Sequence, residues 1–178
     1  RLAGMEPKLD LTKEYGLVLE GGGAKGAYQI GAWKALKEAG VKIRGVSGTS
    51  VGALNGALIC MDDLERAENL WANISYSQIM DVDDELMGRL FDKTQKTPEL
   101  WRETLKEVFR MLGVGGMDIT PLRRLIEENI DEEVIRSSPM DFYSCTYSLT
   151  DRKELNVDMK TVPEGQMKDM LLASAYLP

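Results

Sequence analysis

The sequence predicts an α/β fold with a parallel-sheet core and flanking helices. Two short apolar runs, residues 16–20 and 41–46, lead into glycines, as buried strands often do. Between them, residues 27–39 have the apolar period of an amphipathic helix, which Gly40 ends. The predicted apolar face of this helix is Ala27, Ile30, Trp33 and Leu36. Because a second helix follows from Val51, the order predicts a right-handed β-α-β unit with parallel strands.

Helical periodicity continues through the middle of the chain, where it predicts helices that cover one side of the sheet. Two apolar stripes each indicate one of these helices. The first stripe is Leu64, Ala67, Trp71 and Ile74, and the second is Trp101, Leu105, Val108 and Leu112. Thr120 before Pro121 predicts the start of a further helix. Its apolar face is Leu122, Leu125, Ile126 and Ile130. The acidic tract at residues 127–133 is interpreted as the solvated end of that helix.

The last part of the chain predicts a pair of strands and a short helix. The strand-like segments 142–148 and 154–158 flank a tight turn, and a helix is predicted over residues 167–176. At 178 residues the chain fits one domain. We expect that domain to span residues 16–178, with residues 1–15 as an N-terminal extension or an expression remnant.

Composition and charge exclude several classes of function. Hydrophobic residues make up 43% and charged residues 29% of the chain, so we expect it to fold. A net charge of −7, with no run of Lys and Arg, indicates that nucleic acid is not a partner. The apolar run at residues 51–61 is interrupted by Gly52, Asn55 and Gly56 and is too short for a bilayer. Since the first residues lack a signal-peptide pattern, we predict a cytoplasmic protein.

The chain contains no histidine. This absence removes every Ser-His-Asp triad, every Cys-His pair and every histidine-ligated metal from within the chain. Cys60 and Cys145 are too few and too far apart for a disulfide framework or a zinc site, and are interpreted as buried free thiols. We therefore predict no metal and no other cofactor.

A possible nucleophile lies at Gly48-Thr49-Ser50-Val51-Gly52, which matches G-x-S-x-G between a predicted strand and a predicted helix. A serine on such a turn needs small neighbours, and Gly48 and Gly52 supply the room. The start of the helix would also favour negative charge that develops on the hydroxyl. The alternative interpretation is that Ser50 only caps the helix.

A second glycine-rich turn, Gly21-Gly22-Gly23-Ala24-Lys25-Gly26, also joins a strand to a helix. A P-loop requires Ser or Thr after Gly-Lys, and this turn has glycine there. A dinucleotide site fits the glycine spacing but needs an acidic residue at the end of the next strand, which is missing. The remaining interpretation is an oxyanion hole, in which backbone N–H groups from Gly21 to Ala24 hold the oxygen of an attacked carbonyl.

Together the two motifs resemble those of the patatin-like phospholipase family, in which GGGxKG or GGGxRG precedes GxSxG. Gly21 to Gly26 and Gly48 to Gly52 match these motifs in order and context. Residues 118–123 look like the family's mid-domain helix start, and residues 172–178 look like its ASxxxP segment. The resemblance implies a three-layer α/β/α fold and acyl-ester hydrolysis by a Ser-Asp dyad. It also implies Ser50 as nucleophile, with Lys25 and Gly26 completing the glycine motif.

The family's aspartate belongs to an Asp-Gly-Gly or Asp-Gly-Ala motif after ASxxxP, and the 178 residues contain no Asp-Gly pair. We therefore expect the domain to be incomplete at its C-terminus and the base to lie in a C-terminal remainder, so that this piece alone is inactive. Asp118, Asp151 and Asp158 are better explained by turns and a strand edge.

The expected substrate is a phospholipid or another lipid ester, met by transient contact with a membrane surface. A non-catalytic lipid-binding relative, or a Rossmann-type nucleotide-binding domain, is the alternative function.

Overall fold

The structure, a computed structural model, describes four stretches of the chain: residues 9–22, 25–74, 120–148 and 152–175. The chain divides into two compact units, the first made of residues 1–72 and 130–178 and the second of residues 73–129. Both glycine motifs belong to the first unit. The predicted stripe from Trp101 to Leu112 lies outside the described residues.

Four strands form one mixed sheet in the order β1-β2-β3-β4. Their bounds are Glu14–Leu19 for β1, Lys42–Thr49 for β2, Asp141–Ser148 for β3 and Lys153–Asp158 for β4. The first three strands are parallel, and β4 pairs antiparallel with β3 as the second arm of a hairpin. The sheet confirms the predicted α/β class. Because parallel strands end at one edge, the glycine turns that follow β1 and β2 both leave the sheet there.

Helices flank this sheet within the first unit. The described helices are α1 Lys25–Glu38, α2 Val51–Cys60, α3 Leu64–Asn73, α4 Thr120–Asn129, α5 Glu132–Ser137 and α6 Met167–Ala175. Helix α4 belongs to the second unit. A single 3₁₀ turn, Met159–Thr161, lies between β4 and α6. In the part of the chain that the structure describes, no helix has the length and apolar character needed to cross a membrane.

The core of the first unit is built around α2. All ten of its residues are buried, and it packs against α1, α6 and the strands β1, β2 and β3. Val46 and Phe142 of the sheet and Trp33 of α1 are each 2% exposed or less. A helix that is apolar on every side must be enclosed by protein. The first turn of α2, which begins beside Ser50, therefore has little freedom to move.

Three predictions about side-chain burial are wrong in detail. Ala27 is exposed, whereas Gln29, predicted to lie off the apolar face of α1, is only 8% exposed. The side chain of Gln29 is buried because it makes hydrogen bonds with neighbouring elements, which apolar periodicity does not register. Cys145 is half-buried rather than buried, as is its neighbour Thr146 in β3.

The acidic tract at residues 127–133 is not the end of one helix. Helix α4 ends at Asn129, and Asp131 begins α5 as its N-cap. The Asp131 carboxylate accepts hydrogen bonds from the N–H groups of Glu133 at 3.0 Å and Val134 at 3.2 Å. Aspartate is favoured at this position because it satisfies N–H groups that have no partner within the helix. The cap explains why the chain starts a new helix within an acidic run.

Arg136 of α5 holds the segment that leads into α6. Its guanidinium donates to the carbonyl oxygens of Lys160 at 2.9 Å and Val162 at 2.7 Å. Glu132 accepts from Arg136 Nε at 2.8 Å and from the Gly165 N–H at 3.0 Å. Burial by itself would raise the pKa of Glu132, but these hydrogen bonds and the Arg136 charge hold that pKa below its ordinary value. This ion pair therefore helps to anchor the start of α6.

We predict that Glu132→Gln lowers the free energy of unfolding by about 1–3 kcal/mol at neutral pH, because it removes a charged acceptor. The pKa of Glu132 is lower in the folded state than in the unfolded state. The stability contributed by its ionised carboxylate is therefore complete above the unfolded pKa of about 4.3, and it is lost as the pH falls through the folded pKa. Urea unfolding from pH 7 to pH 3 should show the difference from wild type shrinking below about pH 4. The exposed neighbour Glu133 is the control, and Glu133→Gln should change stability by no more than about 0.5 kcal/mol. A difference between wild type and Glu132→Gln that is as large at pH 3 as at pH 7 would contradict this account.

Candidate active site

Ser50 lies at the junction of β2 and α2 in a strained backbone conformation. Its φ is 54° and its ψ is −124°, a region that side-chain-bearing residues rarely occupy. Such a conformation costs about 1–3 kcal/mol and persists only where the surrounding structure enforces it. The Ser50 side chain makes no capping hydrogen bond to α2. Capping therefore does not explain why a serine occupies this position.

Gly48 and Gly52 allow the turn at Ser50 to form. A β-carbon on Gly48 would overlap the Gly52 carbonyl in the first turn of α2. One on Gly52 would overlap the Leu19 carbonyl at the end of β1. Backbone groups from β1, β2 and α2 thus approach each other directly, with no room for side chains between them. Both glycines of G-x-S-x-G are required by this close packing.

The glycine loop after β1 lies beside Ser50. A β-carbon on Gly21 would be 3.3 Å from Ser50 Cβ and 3.4 Å from the Thr49 carbonyl oxygen. Gly22 has a φ of 119°, a conformation that favours glycine, and its carbonyl accepts the Lys25 N–H at 3.1 Å. Gly23 and Ala24 lie outside the described residues. The two sequence motifs therefore meet at one place, as parallel strand ends require.

Lys25 crosses the glycine loop on its solvent side. Its ammonium group lies 2.9 Å from the Glu20 carboxylate, and the two side chains are 61% and 70% exposed. The lysine stem also passes Gly22, with Lys25 Cδ 3.4 Å from where a β-carbon on that glycine would be. An ion pair this exposed contributes little stability, about 0–1 kcal/mol. Lys25 is thus a solvated side chain that also spans the loop.

Ser174 of α6 connects the junction at Ser50 to β3. Its hydroxyl accepts the Ser50 backbone N–H at 3.2 Å and donates to the Cys145 carbonyl at 2.8 Å. Ser174 is 9% exposed, so both bonds form in a largely dry environment. Sequence reasoning identified the segment around Ser174 by its motif but not this contact. The only sequence signal for this contact was a hydroxyl side chain among small and apolar residues in the last predicted helix.

Of the three aspartates considered from the sequence, the structure describes only Asp158. Asp158 caps the 3₁₀ turn by accepting the Lys160 N–H at 3.0 Å, while Asp118 and Asp151 lie outside the described residues. Burial raises the pKa of the Cys60 thiol to about 12, so it stays protonated and unreactive. Among the described side chains, no group of three or more Cys, Asp or Glu could hold a metal ion.

We predict that Gly52→Ala and Gly31→Ala have opposite effects on stability. The methyl group at residue 52 would collide with backbone atoms of β1, and overpacking of this kind costs about 1–3 kcal/mol or more. Gly31 lies in the middle of α1 with open space around it, so alanine should raise stability by about 0.5–1 kcal/mol through helix propensity. Thermal unfolding of both variants tests the prediction. Equal melting temperatures for the two would show that β1 and α2 do not approach closely at Gly52.

Solved structures show the same fold. VipD from Legionella pneumophila matches with a TM-score of 0.55 at 17% identity, over 92% of this chain and 42% of that one. A chain of the SpcU–ExoU complex from Pseudomonas aeruginosa matches with a TM-score of 0.50 at 19% identity, over 92% of this chain and 38% of that one. At such low identity these likenesses concern the fold alone.

Sequence relatives share a shorter segment at higher identity. Lysophospholipase nte1 of Aspergillus terreus is 56% identical over 50 residues, which make up 28% of this chain and 3% of the relative. Neuropathy target esterase sws of Drosophila sechellia is 60% identical over 47 residues, 26% of this chain and 3% of the relative. The matched segments are thus a small part of these long relatives. A sequence model of the family described as Patatin-like phospholipase matches residues 17–178. The chain belongs to the patatin-like phospholipase family.

Proposed function

We propose that this chain carries the nucleophile and the oxyanion hole of a lipid acyl hydrolase. The observation that supports this most strongly is the strained Ser50 backbone, enforced beside the glycine loop and not explained by helix capping. Strain of this kind is concentrated at functional sites, where the surrounding fold maintains it. Family membership agrees with the proposal, since patatin-like phospholipases act on lipid substrates.

In the proposed reaction, Ser50 Oγ attacks the carbonyl carbon of an acyl ester and loses its proton to a base. The carbonyl π-electrons move to oxygen, and backbone N–H groups of Gly21 to Ala24 hold the resulting oxyanion. Collapse of the tetrahedral species expels the alcohol half of the lipid, which takes up the proton, and leaves an acyl group on Ser50. Water then attacks the acyl-enzyme, releases the fatty acid and restores the serine.

Two features of the described structure favour charge at Ser50. Ser50 lies at the N-terminal end of α2, which is the positive end of the helix dipole. Because α2 is enclosed by protein, the field of its dipole is less screened by water than on a surface helix. In partly buried geometries such an effect reaches about 2 kcal/mol. Negative charge on Ser50 Oγ or on a nearby oxyanion is stabilised accordingly.

We further propose an aspartate as the base, in a Ser-Asp dyad, supplied by a segment of the protein that follows residue 178. The resemblance of both glycine motifs to those of the patatin-like family, which implies an aspartate base, supports this choice. Asp158, a described alternative, is already bound to the Lys160 N–H as a cap. Without its base a serine nucleophile loses about 10²–10⁴-fold in rate, so residues 1–178 alone should be nearly inactive.

We predict that Ser50→Ala in the complete gene product lowers hydrolysis of lysophosphatidylcholine at least about 10³-fold, because it removes the attacking oxygen. Labelling by a fluorophosphonate probe should disappear in the same variant. Ser137→Ala is the matched control: this serine bonds the Glu133 carbonyl, and its loss should leave rate and labelling within about two-fold.

The proposal is wrong if Ser50→Ala keeps both the hydrolysis and the labelling of wild type. If the wild-type gene product binds lysophosphatidylcholine micelles but releases no fatty acid, the chain is a non-catalytic lipid-binding relative. Saturable NAD binding that Gly22→Val abolishes would instead indicate a nucleotide-binding domain.

A further inference from the structure

Asn55 is the one strongly polar side chain in α2, and it is 0% exposed. Leaving an amide unbonded in such a place is strongly unfavourable, because the buried group has lost its hydrogen bonds to water. An apolar residue would fit the rest of the helix without that risk. The hydrogen bonds of Asn55 therefore indicate what this residue does for the fold.

Three hydrogen bonds fix the orientation of the Asn55 amide. Its Nδ2 donates to the Gly26 carbonyl at 3.0 Å and to Gln29 Oε1 at 2.9 Å. Its Oδ1 accepts from Trp71 Nε1 at 2.8 Å. Because an indole N–H can only donate, the oxygen of Asn55 must face Trp71 and the nitrogen must face α1. The amide thus joins three helices in one defined arrangement.

Gln29 extends this network to the glycine loop. With its oxygen engaged by Asn55, its Nε2 donates to the Glu20 carbonyl at 2.8 Å. Glu20 is the residue between the end of β1 and Gly21. The series of donors runs from Trp71 to Asn55, then to Gln29, and ends on the backbone of the loop. Bonds linked in this way strengthen one another.

The end of the network has a geometric consequence for Gly21. A peptide unit is planar and trans, so its N–H points opposite to its C=O. Holding the Glu20 carbonyl toward Gln29 therefore directs the Gly21 N–H away from Gln29. The bond from Asn55 to the Gly26 carbonyl holds the other end of the glycine motif, in the first turn of α1. The exposed Lys25–Glu20 pair adds only a weak constraint from the solvent side.

We propose that Asn55 and Gln29 are positioning residues that fix the Glu20–Gly21 peptide, at the start of the glycine loop, for oxyanion binding. This inference rests on the proposed function, since it assigns a purpose to the loop that the function requires. Asn55 lies in the helix that begins beside Ser50, and Gln29 lies in the helix that follows the loop. One network thus links the helix that begins beside the nucleophile to the start of the glycine loop.

The test compares Gln29→Met with Ile59→Val in the complete gene product. Methionine keeps the apolar volume of Gln29 but cannot donate to the Glu20 carbonyl. Ile59 is fully buried in α2 and makes no side-chain hydrogen bond, so Ile59→Val controls for a general loss of stability. The measurements are kcat and KM for lysophosphatidylcholine, the melting temperature, and the amide hydrogen exchange of residues 21–26.

For Gln29→Met we expect kcat to fall at least about 10-fold with KM changed less than about two-fold, because an oxyanion hole acts in the transition state. Amide exchange at residues 21–26 should become faster. Ile59→Val should lower the melting temperature while leaving kcat and this exchange unchanged. A further comparison uses the single variant Asn55→Leu and the double variant Asn55→Leu/Gln29→Met. The kcat of the double variant should be no lower than that of the more affected single variant, because the two residues belong to one series of hydrogen bonds.

A Gln29→Met variant with wild-type kcat, or with unchanged exchange at residues 21–26, would overturn the inference. The exchange measurement does not depend on catalysis. If Ser50→Ala keeps full activity but Gln29→Met still loosens residues 21–26, the proposed function fails while the network's hold on the loop stands.

Discussion

The close approach of backbone groups from β1, β2 and α2 is the constraint on which the rest of the site depends. It is possible only because residues 48 and 52 lack side chains. Once the helix is this close to two strand ends, the connection between β2 and α2 must be very short. Ser50 occupies that connection and takes up a φ of 54° as a result. The strain at Ser50 follows from the packing of the elements on either side.

The surrounding structure offsets this strain with buried contacts. Helix α2 is enclosed on all sides, and fully burying one large apolar side chain contributes about 1.5–3 kcal/mol. A few such residues outweigh the cost of one strained backbone. Hydrogen bonds then determine the positions more closely: Ser174 binds the Ser50 N–H, and Asn55 and Gln29 hold the backbone around the glycine loop. Apolar packing thus supplies the stability of the site, and a few buried polar groups supply its geometry.

Local patterns in the sequence were enough to predict the fold class, the parallel pairing of β1 and β2, and the hairpin of β3 and β4. These features depend on residues close together in the chain, such as a glycine after an apolar run. The burial of Gln29 and the cap at Asp131 were not predicted, because each depends on hydrogen bonds rather than on apolar period. The contact between Ser174 and Ser50 joins residues 124 positions apart, and no periodicity carries that information. Local sequence patterns therefore do not predict the polar contacts that fix the geometry of the site.

The central claim is that Ser50 and the glycine loop act together on one acyl carbonyl. The most direct measurement is a crystal structure of the complete gene product after reaction with an organophosphonate, whose phosphoryl oxygen stands in for the oxyanion. The account predicts a covalent bond from phosphorus to Ser50 Oγ, with the phosphoryl oxygen within about 2.7–3.1 Å of backbone N–H groups of the loop at residues 21–24. A phosphonate on another residue, or a phosphoryl oxygen that faces away from this loop, would contradict it.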